Sequence, residues 1–312
     1  MLLNEVIEIY NLIDDANING EILKEFFLNV RKVEIEVKKI VTDKGSTDFI
    51  RIVIPGVNGK KKGGKSRTLG VLGRLGGIGA RPNIIGTVSD GDGAVVALSV
   101  ALKLLKMQNR GDFLDGDVIV STHICPNAPI RKHKPVDFMD SPVDIKTVNE
   151  EECNGEFDGI LSIDTTKGNK IINCNGFAIS PTVKEGYILK VSDDLLNLMT
   201  ITTGSYPNVF ALSTQDITPY GNGLYHLNSI LQPAVATDVP VVGIAITSES
   251  VIPGCATGAS NPYSIEQASR YVIEVCKEYG NGKIELYDEN EFSLIVKKYG
   301  KMNHLQTLGN EG

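Results

Sequence analysis

Three short stretches carry residues whose types and spacing could do chemistry. The first is Val88-Ser-Asp-Gly-Asp-Gly-Ala94, which leads into an apolar run ending near Lys106. Ser89, Asp90 and Asp92 offer oxygens for a helix N-cap, and Gly91 and Gly93 permit a tight entry. Two carboxylates thus stand where a loop meets a helix, beside freed backbone N–H groups; capping alone or the holding of a metal or polar substrate would fit. The second is His123-Ile-Cys125, at the end of the apolar run Gly116–Thr122. Residues two apart in a strand share a face, so His123 and Cys125 are a candidate base and nucleophile. The third is Asp164, the acidic tip of Gly159-Ile-Leu-Ser-Ile163.

Other candidates lie around these. Arg74 and Arg81 are the only charges in the glycine-dense segment Gly70–Pro82, and either could grip a substrate carboxylate bidentately or make a structural ion pair. Asp216, Asn222, Glu249 and Cys255 occupy later loops as candidate ligand contacts, with His226 read as a packing histidine. Gly59-Lys-Lys-Lys-Gly-Gly-Lys-Ser66 satisfies the P-loop spacing, but a strand-like run follows where a helix must, so nucleotide binding is rejected.

The elements that must position these residues can be read from periodicity. Helical spacing covers 2–14 and 20–30, with Asn19 as the cap of the second, and alternation marks strands at 33–41 and 49–54, paired as a hairpin. The run from 92 to Lys106 has almost no polar face and is expected to be buried on several sides. Further strands are expected at 159–164, 171–179, 187–191, 209–213 and 241–246, and helices at 193–201, 224–231, 264–277 and 289–299. Residues 126–144, rich in proline, show no period and suggest a lid. Strands alternating with helices in this way predict an α/β fold: a mixed, mostly parallel sheet with helices on both faces. One domain is expected over 1–300, with a loose tail at 301–312. Ligands of open parallel sheets bind beyond the carboxyl ends of the strands, where Arg74, Asp90, Asp92, His123, Cys125, Asp164, Asp216 and Glu249 fall.

Composition limits the partners. A net charge of −7 argues against nucleic acid and anionic membranes. No apolar run is long enough to span a bilayer, and the acidic start lacks a basic leader. Five cysteines at irregular spacing, with no C-x-x-C pair, read as reduced thiols in a cytoplasmic protein. A small-molecule substrate or ligand is the expected partner, and self-association is left open.

The chain resembles a bacterial family known as domain of unknown function 1177. The matching blocks are G-R-L-G-G-I-G-A-R-P, V-S-D-G-D-G-A, S-T-H-I-C-P, S-I-D-T-T-K-G-N, T-Q-D-I-T-P-Y-G-N-G-L-Y-H and I-P-G-C-A-T-G-A-S, spanning about residues 5 to 290. That resemblance carries no activity. The order of elements is also similar to zinc-dependent exopeptidases of the aminopeptidase and amidohydrolase kind. Asn19-Gly-Glu21 sits at their S-G-x-E and Asp43-Lys-Gly45 near their D-x-x-G-N, while Gly73–Gly79 falls on their first ligand motif. Asp90 falls near their bridging aspartate, Thr122-His123 near their paired glutamates and Asp164 on their metal aspartate. This implies a three-layer zinc-exopeptidase-like sandwich and metal-activated water for amide hydrolysis. The chain departs from the pattern in having Arg74 and Gly76 at ligand positions, no Glu-Glu pair after the His123 strand and no clear terminal histidine near Cys255.

Three functions follow as expectations. One is an amidase- or peptidase-like enzyme acting on a small amino-acid or peptide derivative. It would use at most one divalent ion, zinc or manganese, held by Asp90, His123 and Asp164, with Asp92 assisting catalysis. Another is a metal-free enzyme using His123 with Cys125 or Cys255, for amide cleavage or racemisation. The third is a non-catalytic binding protein on a hydrolase scaffold, with Asp92, Asp216, Asn222, His226 and Glu249 as ligand contacts or only structural.

Overall fold

The N-terminal half begins with two short amphipathic helices and a hairpin. α1 (Leu3–Ile13) buries Val6, Ile9 and Ile13, and α2 (Gly20–Val30) buries Leu23 and Phe27. Asn19 caps α2 as expected, its Oδ1 accepting from Ile22 N at 3.0 Å. Alternation then gives β1 (Glu34–Thr42) and β2 (Gly45–Ile54), an antiparallel pair closed by a turn in which Gly45 has φ 145°. This computed structural model describes residues 2–74, 87–132, 134, 138–252 and 259–310. Arg81 and Cys255 therefore lie outside the described residues.

The rest of the chain alternates strands and helices. β3 (Leu69–Gly73) precedes α3 (Asp92–Gln108), and β4 (Val118–Asn127) is followed by a two-residue hairpin of β5 (Ile130–Arg131) and β6 (Phe138–Met139). After α4 (Ile145–Glu152) come β7 (Gly159–Thr165), β8 (Gly176–Lys184), β9 (Tyr187–Ile188) and α5 (Asp193–Thr203). β10 (Val241–Thr247), α6 (Pro262–Gly280) and α7 (Glu289–Tyr299) complete the order.

Eight strands form one mixed sheet in the order β1-β2-β4-β3-β7-β10-β8-β9. Its parallel part is smaller than the sequence suggests. Only β4, β3, β7 and β10 run parallel, and the flanking pairings β1–β2, β2–β4, β10–β8 and β8–β9 are antiparallel. β8 passes through Pro181 by means of a bulge, where Gly243 faces Ser180 and Pro181 and its N–H bonds the Ser180 hydroxyl at 2.8 Å. The missing proline N–H is tolerated there because the ladder is already interrupted.

The two faces of the sheet are covered differently. On one, α1, α2, α3, α5 and α6 pack an aliphatic core against Val71, Val120, Ile163 and Ile244. α3 lies within it, every residue buried except Lys103, Lys106 and Met107. On the other, Leu72, Ile119, Ile160 and Ala245 meet Phe210, Ile217, Ile230 and Leu231 from a segment with only short 3-10 turns. α4 is the one α-helix seen there among the described residues, so the second helical layer expected from the sequence is instead a single helix and irregular chain.

That irregular segment corrects two expectations. Val209 makes only an isolated bridge to Ile179, not a strand over 209–213. The helix expected over 224–231 is absent: Gly221 and Gly223 take φ 97° and 78°, and Asp216 captures the backbone N–H groups of Leu227 and Asn228. The C-terminal tail is docked rather than loose. Leu305 packs on the second core, and Gln306 Nε2 donates to the carbonyls of Ala234 and Thr237 at 2.9 and 3.0 Å.

Candidate functional site

Parallel register builds the site. Gly73 of β3 sits opposite Thr122 of β4 and Ile163 of β7. One residue further, Arg74, His123 and Asp164 therefore form a row at the carboxyl ends of three neighbouring strands, and Arg74 N donates to Ile163 O at 2.7 Å. All three face the irregular side, in step with Leu72, Ile119 and Ile160 two or four residues earlier.

α4 completes this row. Asp144 caps the helix by accepting from Thr147 N, and its last residue, Glu152, is fully buried. Glu152 Oε2 pairs with Arg74 Nη1, and Oε1 lies 2.6 Å from His123 Nδ1. One turn earlier, Asn149 Oδ1 accepts from Arg74 Nη2 at 2.8 Å. Arg74 is 1% exposed, and its Nε has no partner among the described residues. Beyond His123, the Cys125 sulfur lies 3.0 Å from the Thr47 hydroxyl, and the Phe49 ring stands 5.3 Å from the imidazole.

Charge in this row is held in place by its neighbours. Burial opposes the charged form of His123, but the neighbouring Cys125 sulfur and the hydrogen-bonded Glu152 carboxylate outweigh it and push its pKa up to about 10. Burial likewise opposes ionisation of Glu152, yet Arg74 and His123 hold its carboxyl below the usual carboxylate range. The row is thus a cation–anion–cation arrangement ending in a thiol.

Asp164 has a different environment. Its Oδ2 accepts from the Ser229 hydroxyl at 2.8 Å and its Oδ1 from Thr165 N at 2.7 Å, and burial pushes its pKa up to about 6. The charge of Asp90 acts in the same direction and that of Arg74 against it, so all three lie within electrostatic reach. Burial raises the Tyr220 hydroxyl too, next to Ser229 and the Asp164 charge.

Asp90 and Asp92 arrive from the helical side. α3 can approach the strand ends this closely because Gly93 has no side chain: a Cβ there would stand 2.4 Å from Ile163 O. Contrary to the capping expected from the sequence, no side chain caps α3. Asp92 instead accepts from the Ser260 hydroxyl at 2.6 Å and faces Lys167 Nζ at 3.5 Å, while Lys167 also donates to Ala259 O. Burial lifts Asp92 to about 6 despite Lys167, and raises Asp90 as well.

Other expected contacts serve the scaffold. Asp216 is fully buried and accepts from Ser213 N, the Ser213 hydroxyl, Leu227 N and Asn228 N, so none of its oxygens is left for a ligand. Asn222 bonds Thr218 and Leu224 within its own turn, His226 packs edge-on to Tyr220, and Glu249 is exposed.

Sequence reasoning missed Glu152, Asn149, Thr47, Ser229, Ser260 and Lys167. A signal for the first two existed in Asp144-Ile-Lys-Thr-Val-Asn-Glu-Glu-Glu152, a cap followed by a short helix. An acidic run does follow the His123 strand, delayed by the β5–β6 hairpin. Asp90, His123 and Asp164, the metal set expected from the sequence, do not come together as a ligand group among the described residues. Glu152 occupies His123 Nδ1 at 2.6 Å. Among the described residues no group of three or more His, Cys, Asp and Glu side chains could hold a metal ion. No helix among them is long and apolar enough to cross a membrane.

A family model described as "Protein of unknown function (DUF1177)" matches residues 38–309. No curated protein matches the chain.

Proposed function

The chain belongs to the DUF1177 family, and we propose that it is a thiol-dependent enzyme cleaving an amide bond in a small amino-acid or peptide derivative. One observation carries this reading: Cys125 follows His123 by two residues on β4, and His123 Nδ1 lies 2.6 Å from the Glu152 carboxylate, at the carboxyl ends of the central parallel strands. A cysteine that reacts as the thiolate beside an imidazolium, itself oriented by a carboxylate, has the make-up of an activated nucleophile. Arg74 and Asn149 are positioning residues in it, since they hold Glu152 and Arg74 rather than a substrate.

The chemistry then runs in two halves. The Cys125 sulfur forms a bond to the substrate carbonyl carbon, the C–N bond breaks, and the amine leaves with a proton from His123. Water next attacks the thioester, gives its proton to neutral His123 and releases the acid, which returns the site to the thiolate–imidazolium form that reacts. Asp164 and Asp92, each with a pKa of about 6, add acid–base groups on the same rim. The amide-cleavage class was expected from the order of elements in the sequence, and among the described residues no group of His, Cys, Asp and Glu supplies a metal site for it.

Iodoacetamide tests the reading. At neutral pH Cys125 is expected to alkylate at least about ten times faster than a model thiol, with His123→Ala returning it to the model rate. Alkylation no faster than the model thiol would overturn the proposal and leave a binding protein on the same scaffold.

A further inference from the structure

The pairing of β2 with β4 shifts register at Cys125. Ser46 faces Asn127 and Asp48 faces Ile124, so Thr47 alone stands opposite both Cys125 and Pro126. A bulge of this kind re-aims the side chains around it, recurs beside reactive groups, and accommodates a proline that has no N–H to give. Here it brings the Thr47 side chain level with the Cys125 sulfur.

Thr47 is fully buried, and its single O–H has two acceptors in reach: the Ile124 carbonyl at 3.1 Å and the Cys125 sulfur at 3.0 Å. Which of them it serves depends on the state of the sulfur. A neutral thiol is a weak acceptor, so the proton goes to the carbonyl. A thiolate is a charged acceptor, and such hydrogen bonds are roughly twice as strong as neutral ones, so the proton turns to the sulfur. The β-branched side chain is stiff at χ1, and rotation of the O–H is the one movement this change needs. Because the second arrangement exists for the ionised sulfur alone, the hydroxyl favours that form.

We infer that Thr47 is a positioning residue of the thiol reaction: its hydroxyl donates to the Cys125 sulfur in the form that attacks, and returns to the Ile124 carbonyl once the sulfur is bound in the thioester. The inference rests on the reading of Cys125 as the nucleophile. No bond to Thr47 forms or breaks, and its proton stays on its own oxygen throughout. The charged groups about the sulfur are His123 and, behind it, Glu152 and Arg74. Asp48, the next residue on β2, is turned away toward α2, where it accepts from Gly20 N at 2.8 Å.

Thr47→Val keeps the shape of the side chain and removes the O–H. Iodoacetamide alkylation of Cys125 at neutral pH is expected to fall about tenfold in it, and the pH of half-maximal rate to rise by about one unit, with the plateau at high pH unchanged. Thr47→Ser restores both. An O–H that supported the fold alone would lower the unfolding temperature on removal and leave that pH profile in place. The Cβ carbon resonance of Cys125, followed against pH in the folded full chain, reports the same ionisation without requiring the sulfur to react. Should Thr47→Val not fold, Thr47→Ala reads the same property. An unmoved profile in the variants lacking the O–H, or a Thr47→Ser profile that matches theirs, overturns the inference. The two proposals fail in different ways. A parent chain that alkylates no faster than a model thiol, with the Cβ titration still raised in Thr47→Val, overturns the nucleophile and upholds the hydrogen bond. Fast alkylation with an unmoved titration in Thr47→Val overturns the role of Thr47 and leaves the nucleophile standing.

Discussion

The helical and irregular faces of the sheet contrast in what they cost and what they hold. On the helical face the core is almost wholly aliphatic, built from α1, α2, α3, α5 and α6. The opposite face has a smaller core and carries Arg74, His123, Cys125 and Asp164 in one rim. Helical cover imposes a period, and a helix in the middle of such a layer has little room for polar groups. Irregular cover can bring a hydroxyl, an amide or a carboxylate to any strand tip, provided something fixes the chain. Asp216 does this for residues 213–228, and α4 does it for Glu152. The larger aliphatic core and the polar row thus lie on separate faces.

The sharpest way to break this contrast is Glu152→Ala. It leaves the Arg74 and His123 cations buried without their carboxylate, and a loss of about 3–5 kcal/mol in denaturant unfolding is expected, together with slow Cys125 alkylation. Next in size, Leu102→Ala on the helical face should cost about 2–5 kcal/mol while leaving the alkylation rate of the folded fraction unchanged. A changed rate would mean the faces are not separable.

The pH dependence of unfolding sharpens the comparison further. Asp92 and Asp164 have folded pKa values of about 6, above their ordinary 3.8, so the folded state binds more protons between those values. Stability should fall as pH rises from about 4 to 6, by up to about 3 kcal/mol per group. His123, raised from 6.5 to about 10, contributes stability that is full below 6.5 and lost as pH climbs through 10. Asp92→Asn should lessen the lower limb by about half, leaving the part due to Asp164, and His123→Ala should flatten the upper limb alone; urea titrations at stepped pH would show it. The smallest effect belongs to Arg67→Ala at the far, amino end of β3. Its bidentate pair with Glu285 is partly exposed, and a loss below about 1 kcal/mol is expected by thermal unfolding.

Much of the central sheet was legible because its strands are short apolar runs with polar tips. The row of Arg74, His123 and Asp164 follows directly from register once β3, β4 and β7 are adjacent. Partners supplied by other elements were not legible. Glu152 is one acid in a run of three, and only the phase of α4 decides which of them turns inward. Ser229 and Ser260 look like any loop serines, and their value comes from a carboxylate far away in sequence. The segment 205–236 misled for a related reason. Its apolar residues pack on the sheet without any period, since Asp216 and glycines at positive φ set its path instead of a backbone ladder.

The edges of the sheet carry a consequence of their own. At one margin β1 sets Glu34, Glu36, Lys38 and Lys39 along its length, and at the other β9 is only two residues long after the bulged β8. Neither margin gives a foreign strand a long uncharged rail on which to add. High concentrations of the folded protein should therefore not seed fibrils by strand addition, and any self-assembly would have to use side-chain surfaces.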